Sequence, residues 1–468
     1  MPPPAVQSPP KFPPGPRPRF PGSLIFDFRR DVLGFLTRIA REHGDIVSFN
    51  SALHRFYIFN HPDGIRDVLV THEHCFIKGP ALRQAKNMLG EGLLTSEAPF
   101  HARQRRLAQP AFHPQRVNTY AQLMTAFAAR MSERWRDGQI VDMHEQMMQL
   151  TLAVVAKTLF DADVESEVAA LGAAMHTTVR MFTRAMIPFG WVLNGLPLPS
   201  NFRFWRARRM LWQTVARFVR QRRESGIDRG DLLSMLLRAT DTEADGSGMS
   251  DLHLRDECIT LFTAGHETTA NALTFTWYLL AQHPEVVQAL DDELSIVLGD
   301  RLPTAEDVTR LPYTKAVIAE SMRLYPPAWA IGREVTGDCE IGGYPLARGA
   351  VVLVSQWVVH RDPRFWPDPD KFDPTRWLTK SADRPRYAYF PFGGGQRACI
   401  GESFAWMEAI ILFATLARRW RAELIDREPM RLQPTITLRP RGPLRMKLVA
   451  RSSSEKTARV RVSSHVAC

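Results

Sequence analysis

Five cysteines stand in this chain of 468 residues, and one of them, Cys399, has neighbours suited to chemistry. It closes the run Phe392-Gly393-Gly394-Gly395-Gln396-Arg397-Ala398-Cys399-Ile400-Gly401, and a helical pattern follows at once. Glycines let a backbone turn tightly and approach a flat ligand closely. A helix N-terminus favours the thiolate form of a cysteine placed just ahead of it. A thiolate held in such a loop suits a soft iron centre, where it pushes electron density toward dioxygen and favours O–O cleavage. Taken alone, a lone cysteine reads more readily as a buried free thiol.

A second group lies mid-way along the longest helical pattern, residues 251–282: Ala264-Gly265-His266-Glu267-Thr268-Thr269. Polar residues in mid-helix are costly unless they serve something. Leu261, Ala264, Gly265, Thr268 and Ala272 share one face at helical spacing. Their small side chains leave room for a flat cofactor and a bound diatomic. An acid beside a hydroxyl, Glu267 and Thr268, can pass protons inward. The bland alternative is a core helix whose threonine bonds back to the preceding turn. His266 takes no role and is expected to face the pocket or a loop.

A third group pairs Glu320 with Arg323 at i, i+3, followed by Leu324-Tyr325-Pro326-Pro327 and later by Phe372-Asp373-Pro374-Thr375-Arg376-Trp377. On a surface such a pair contributes only a few tenths of a kcal/mol.

Together these groups resemble the cytochromes P-450. The cysteine loop matches the signature F-x-x-G-x-R-x-C-x-G, with Phe392, Gly395, Arg397, Cys399 and Gly401 at its fixed places, and Ala405 and Glu408 suit the helix that follows. The mid-helix group resembles that family's A-G-x-[DE]-T-[TS] segment, and Glu320, Arg323 and Arg376 its E-x-x-R helix and P-x-R-[FW] segment. Thr375 stands where many members carry Glu.

The resemblance implies a mainly α fold with a small β region: a single triangular helical domain with a long central helix over the haem. It implies haem b (iron protoporphyrin IX) with Cys399 as axial iron ligand, Phe392 beside the sulfur, and Gly395, Gly401, Ala264 and Gly265 around the cofactor. Arg397, His101, Arg105 and Arg333 would meet the propionates. Thr268 would stabilise the iron-bound oxygen species and Glu267 would relay protons. Glu320, Arg323 and Arg376 would form a buried structural brace.

The implied reaction is insertion of one oxygen atom from dioxygen into a lipophilic small molecule, by hydroxylation or epoxidation. Fatty acid, terpenoid, steroid and polyketide classes all fit. Rival readings are a peroxide-driven haem-thiolate peroxygenase and a haem sensor or carrier; the Glu267-Thr268 pair argues against both. No flavin, nicotinamide or iron–sulfur motif is visible. Electrons would therefore come from a separate partner, a ferredoxin, a flavodoxin or a flavoprotein reductase.

These groups need scaffolding. Helical periodicity dominates, with helices expected at 31–43, 62–71, 100–112, 117–136, 144–160, 165–185, 201–224, 251–282, 284–298, 312–325 and 402–419. Strand-like stretches lie near 45–59, 339–354 and 431–449, a small sheet region drawn from both ends of the chain. That pattern predicts one interwoven domain over 27–449, after a Pro-rich lead-in (1–26) and before a disordered basic tail (450–468). Residues 76–98, 186–200 and 361–400 read as long loops, which are usually functional. Pocket walls are expected at 76–98, 181–198, 261–269 and 328–331. The second is apolar through Met181, Phe182, Met186, Ile187, Phe189, Trp191, Val192 and Leu193.

A net charge of +11 favours acidic partners. The arginines form no stripe with interleaved aromatics, so nucleic-acid binding is not expected. Arg103 points away from the His101/Arg105 face, and Arg103 and Arg106 are expected to decorate a surface where an acidic electron donor docks. Odd, widely spaced cysteines show no disulfide framework. No apolar run is long enough for a transmembrane anchor, and no signal peptide follows Met1. A cytoplasmic protein is expected.

Overall fold

The computed structural model describes residues 12–20, 22–51, 54–161, 172, 174, 177, 196–241, 246–379 and 384–451. The chain divides into two compact units, each assembled from separate stretches of sequence.

The first unit takes residues 1–83, 328–369 and 383–399. Its centre is a five-stranded sheet in the order Ile46–Asn50, Arg55–Phe59, Val351–Val354, Ile331–Val335, Phe76–Lys78. Arg55–Phe59 runs parallel to Val351–Val354, and the remaining pairs are antiparallel. Tyr57, Phe59, Val352 and Val354 leave the sheet to pack on Val359 and Phe390. That core places the stretch before the cysteine loop directly on the sheet.

The second unit takes residues 84–327, 370–382 and 400–468. The helix Asp251–Leu280 runs through it, started by the Ser250 hydroxyl accepting from the His253 N–H at 3.3 Å. Beside it lie the helices Met143–Phe160, Pro199–Ser225, Pro312–Leu324 and Glu402–Ala417. The last is apolar nearly all round and almost wholly buried, as expected of a helix with neighbours on every side. Residues 140–142, 445–450 and 420–424 make a three-stranded antiparallel sheet, and Leu432–Pro434 pairs with Leu438–Pro440 as a hairpin.

Most expected helices appear within a few residues of their predicted ends. Three readings change. The stretch 76–98, expected as a loop, contains the strand Phe76–Lys78 and the helix Pro80–Leu89 before its turns begin; Pro80 opens that helix, where a proline's missing N–H costs nothing. The helix expected over 62–71 is regular only for Pro62–Arg66 and widens into a π turn at Asp67–Thr71. Among the described residues, the single expected sheet is four separate ones. Apart from residues 172, 174 and 177, the helix expected at 165–185 lies outside the described residues, as do the apolar wall Met181, Phe182, Met186, Ile187, Phe189, Trp191, Val192 and Leu193, residues 1–11 and 21 of the Pro-rich lead-in, and nearly all of the tail.

Candidate functional site

In the first unit, the cysteine loop is set by its backbone. The Cys399 N–H donates to the Phe392 carbonyl at 2.9 Å, and the Ala398 N–H to the Gly395 carbonyl at 3.1 Å. Gly395 adopts φ 69°, and a Cβ there would lie 2.0 Å from the Leu69 carbonyl oxygen. Glycine is required on both counts. The Glu73 carboxylate accepts from the Gln396 N–H at 3.3 Å. The result is an exposed thiol at Cys399. Phe392 and Arg397 are half-buried in the same loop. Arg333 is buried on its strand and donates to the Gly332 carbonyl at 3.1 Å.

Sequence reasoning missed the residues that hold the approach to this loop. His360, fully buried, accepts from the Phe390 N–H through Nε2 at 3.0 Å. The Gln356 amide donates to the Phe390 carbonyl at 3.4 Å, and the Trp366 indole N–H to the Ala388 carbonyl at 3.2 Å. An irregular segment buried without such partners would leave main-chain groups unsatisfied. No spacing rule links residues 356, 360 and 366 to 388–390, so no sequence signal existed.

In the second unit, the Asp251–Leu280 helix is buried along most of its length, yet one stripe stays open. Ala264 is exposed, and Leu261, Gly265 and Thr268 are half-exposed. Phe262, His266, Glu267, Thr269 and Ala270 are buried on the other faces. Ala272, expected on the open face, is also buried. Gly265 has a second use: a Cβ there would come within 3.2 Å of Val155, so glycine permits close approach of the Met143–Phe160 helix.

Thr268 donates to the Ala264 carbonyl at 2.6 Å, the back-bond weighed as its bland alternative. The lone pairs of its hydroxyl remain for another donor. Glu267 faces elsewhere. Its Oε1 accepts from the Thr437 hydroxyl at 2.6 Å, with the Arg439 guanidinium 3.9 Å away. His266 faces neither pocket nor loop. It is buried against the Met143–Phe160 helix, where the Thr151 hydroxyl donates to its carbonyl at 3.0 Å. Burial lowers its pKa to about 4, against the opposing pull of the Met148 main-chain carbonyl.

The brace is complete within this unit. Arg323 donates to Glu320 through Nε at 2.9 Å and Nη2 at 2.8 Å, and Arg376 Nε donates to Glu320 Oε1 at 2.9 Å. The Trp377 indole and the Asp373 N–H add bonds of 2.9 and 3.1 Å. Those two donors were not foreseen, although Trp377 adjoins the motif arginine. Buried charge is tolerable only when paired and hydrogen-bonded in this way.

His101 is buried and Arg105 half-buried on one face of the helix Phe100–Ala108. Arg103 and Arg106 do not offer a free docking surface. Arg106 donates to the Asp241 carboxylate at 3.0 Å, and Arg103 lies 3.5 Å from it and donates to Ser247 at 2.6 Å. The Asp241 side chain is only 1% exposed, so these arginines are engaged with Asp241 and Ser247. Gly401 caps the Glu402–Ala417 helix, its carbonyl accepting from the Ala405 N–H at 2.8 Å. In that helix Glu408 is fully buried, and burial raises its carboxyl to about 8, with a contact to Thr269 acting the other way.

The residues present fit a thiolate-bound haem. An exposed thiol ends a glycine-rich, hydrogen-bonded loop, and a small-residue stripe stays open on a mostly buried helix.

Comparison with known proteins gives the same reading. The family model for cytochrome P450 matches residues 10–448. Cyclooctatin synthase of Streptomyces melanosporofaciens is 41% identical over 421 residues, covering 89% of this chain and 91% of the relative. Cyclooctat-9-en-7-ol 5-monooxygenase of the same organism is 38% identical, covering 84% and 85%. Pentalenene oxygenase of Streptomyces avermitilis is 33% identical, covering 91% and 94%.

Proposed function

The chain belongs to the cytochrome P450 family and is a monooxygenase of lipophilic small molecules; from that premise we propose how its own residues divide the work. Cys399 would supply the thiolate that holds the iron of a haem b, and the observation that carries this assignment is an exposed thiol at the end of the hydrogen-bonded 392–399 loop. Arg397, Arg333, His101 and Arg105 would supply cations for its propionates. The cofactor, when bound, supplies the activation of dioxygen.

The protein's contribution is position and proton control. The Ala264–Gly265 stripe keeps side-chain bulk away from the reacting space. Thr268 spends its proton on the Ala264 carbonyl, so its oxygen accepts a hydrogen bond in that space. Glu267 moves protons between that space and the buried polar groups around it. Glu320, Arg323 and Arg376 take no part in chemistry and hold the 370–377 segment rigid.

For the substrate, the names of two relatives denote an alkene alcohol and an alkene. An unsaturated, largely hydrocarbon molecule is proposed here too, at the terpenoid end of the classes expected from sequence. Electrons come from a separate ferredoxin, flavodoxin or flavoprotein reductase. No helix among the described residues is long and apolar enough to cross a membrane.

The test is the absorption spectrum of the reduced, carbon-monoxide-treated protein beside Cys399→Ser. A strongly red-shifted Soret band that the variant loses establishes thiolate ligation by Cys399. A spectrum of the histidine-ligated type, or no haem band after reconstitution, overturns the assignment.

A further inference from the structure

The Glu267 carboxyl is the end of a buried chain of hydrogen bonds that the proposed reaction has not yet used. Its members come from three elements of the second unit. Thr437 stands where the 432–440 hairpin turns, held by the Thr435 N–H donating to its carbonyl at 2.9 Å. Its hydroxyl meets Glu267 Oε1 at 2.6 Å. Asn271, one helical turn beyond Glu267, places Nδ2 3.4 Å from the Thr437 hydroxyl oxygen. The Asn271 carbonyl oxygen lies 3.0 Å from Nε2 of His144, in the first turn of the Met143–Phe160 helix. Glu267, Asn271, Thr437 and Arg439 are all buried, and His144 is half-buried.

The inventory of donors gives this chain a direction. A hydroxyl has one hydrogen to give, and a carboxylate only accepts. With Asn271 Nδ2 donating to Thr437, the Thr437 hydrogen goes to Glu267. With the Asn271 oxygen turned to His144, Nε2 of His144 carries a hydrogen. Burial lowers the pKa of His144, with the Asn271 contact opposing, and the Asn271 oxygen facing Nε2 calls for a hydrogen on that nitrogen. Every donor in the chain therefore points toward Glu267.

The grip on Glu267 is one-sided. Among the described residues, both polar contacts of its carboxyl, Thr437 and Arg439, are made by Oε1. Oε2 is the atom left to take up and give up a proton. An amide cannot readily pass protons along, so the Asn271–His144 arm orients and does not conduct.

We propose that Thr437 is a positioning residue for Glu267: backed by Asn271, His144 and Arg439, it pins Oε1 on the hairpin and leaves Oε2 as the working oxygen. This rests on the reading of Glu267 as a proton carrier. The hairpin turn thereby becomes part of the proton machinery although it carries no acid or base of its own.

The experiment compares Thr437→Val, Thr437→Ser, Glu267→Gln and the Thr437→Val/Glu267→Gln double variant. One readout is the infrared carboxyl band of Glu267, identified by its loss in Glu267→Gln, recorded on the resting protein without turnover. The others are the share of consumed dioxygen that appears as hydrogen peroxide and the solvent isotope effect on turnover. General acid–base catalysis contributes roughly 10²–10⁴-fold, and mispositioning forfeits part of it. We expect Thr437→Val to shift the band, slow coupled turnover about tenfold and raise the peroxide share. Thr437→Ser should restore all three, and the double variant should be no slower than Glu267→Gln alone. If Thr437→Val leaves the band and the coupling unchanged while Glu267→Gln is slow, the positioning role is wrong and the proton-carrier reading stands. If Glu267→Gln turns over as the parent does, the proton-carrier reading fails and the positioning role fails with it.

Discussion

Arg323 grips the Glu320 carboxylate with two hydrogen bonds, 2.9 and 2.8 Å long, at a place where neither side chain is exposed at all. Glu320 also accepts from Arg376, Trp377 and the Asp373 N–H, so five donors converge on its two oxygens. Removing one partner from a buried pair costs about 3–5 kcal/mol, because the other charge stays behind uncompensated. Arg323→Lys keeps the charge but not the planar fork. Both Glu320→Gln and Arg323→Lys should lower the urea midpoint, Glu320→Gln the more. An unchanged midpoint in either would show that the brace is not structural.

Gly395→Ala places a methyl group 2.0 Å from the Leu69 carbonyl oxygen at a φ of 69°. The loop must shift to accept it, and Cys399, four residues on, must shift with it. The expected outcome is a large loss of the reduced carbon-monoxide band, with haem retention falling more than thermal stability. A variant with the parent's spectrum would contradict the cradle described above.

Glu408 gives a pH signature with a definite sign. In the folded protein its carboxyl is raised to about 8, whereas an unperturbed Glu titrates near 4.3. Between those values the native state keeps a proton that the unfolded chain has released. Stability contributed by this group therefore falls as pH rises through that window. Glu408→Gln removes the dependence. Its stability relative to the parent should improve from pH 5.5 to 7.5, by at most roughly 1.4 kcal/mol per pH unit. Urea titrations at the two pH values check this; a constant difference would mean that Glu408 titrates in its usual range.

Arg106→Glu sets a second carboxylate against the buried Asp241. Arg106 is partly exposed, so the loss should stay below the roughly 3–5 kcal/mol of a fully buried pair. It should appear as a lower melting temperature. The salt dependence of donor-supported turnover should follow the parent. A changed salt dependence with intact stability would restore a docking role to this helix.

What the sequence disclosed here was local. The cysteine loop, the mid-helix Glu267-Thr268 pair and the Glu320/Arg323 pair are each short in sequence, so spacing alone exposes them. Arg376 needed the family pattern, since 53 residues separate it from Arg323. His360 on Phe390 and Thr437 on Glu267 were illegible, being single contacts between elements far apart in the chain. The helix Pro80–Leu89 was misread because the glycines and prolines flanking it outweighed its short apolar periodicity. The direction of Glu267 could not be read at all. Helical spacing shows which face a residue occupies, and only packing shows which neighbour its side chain prefers.

Two adjacent acids of the long helix carry a last implication. The Asp256 carboxylate accepts from the Glu91 N–H at 2.8 Å, and Glu257 from the Leu93 N–H at 3.0 Å. The 90–96 turn, an expected wall of the substrate pocket, thus hangs by its main chain from the helix that carries Thr268. Wall and helix are inherited as one block, although more than 160 residues of sequence lie between them. A chimaera with a crossover anywhere between residues 96 and 256 would split that block, unless both parents carry the two acids. Recombination aimed at new substrates would keep its wall in register only by drawing 90–96 and 256–268 from the same parent.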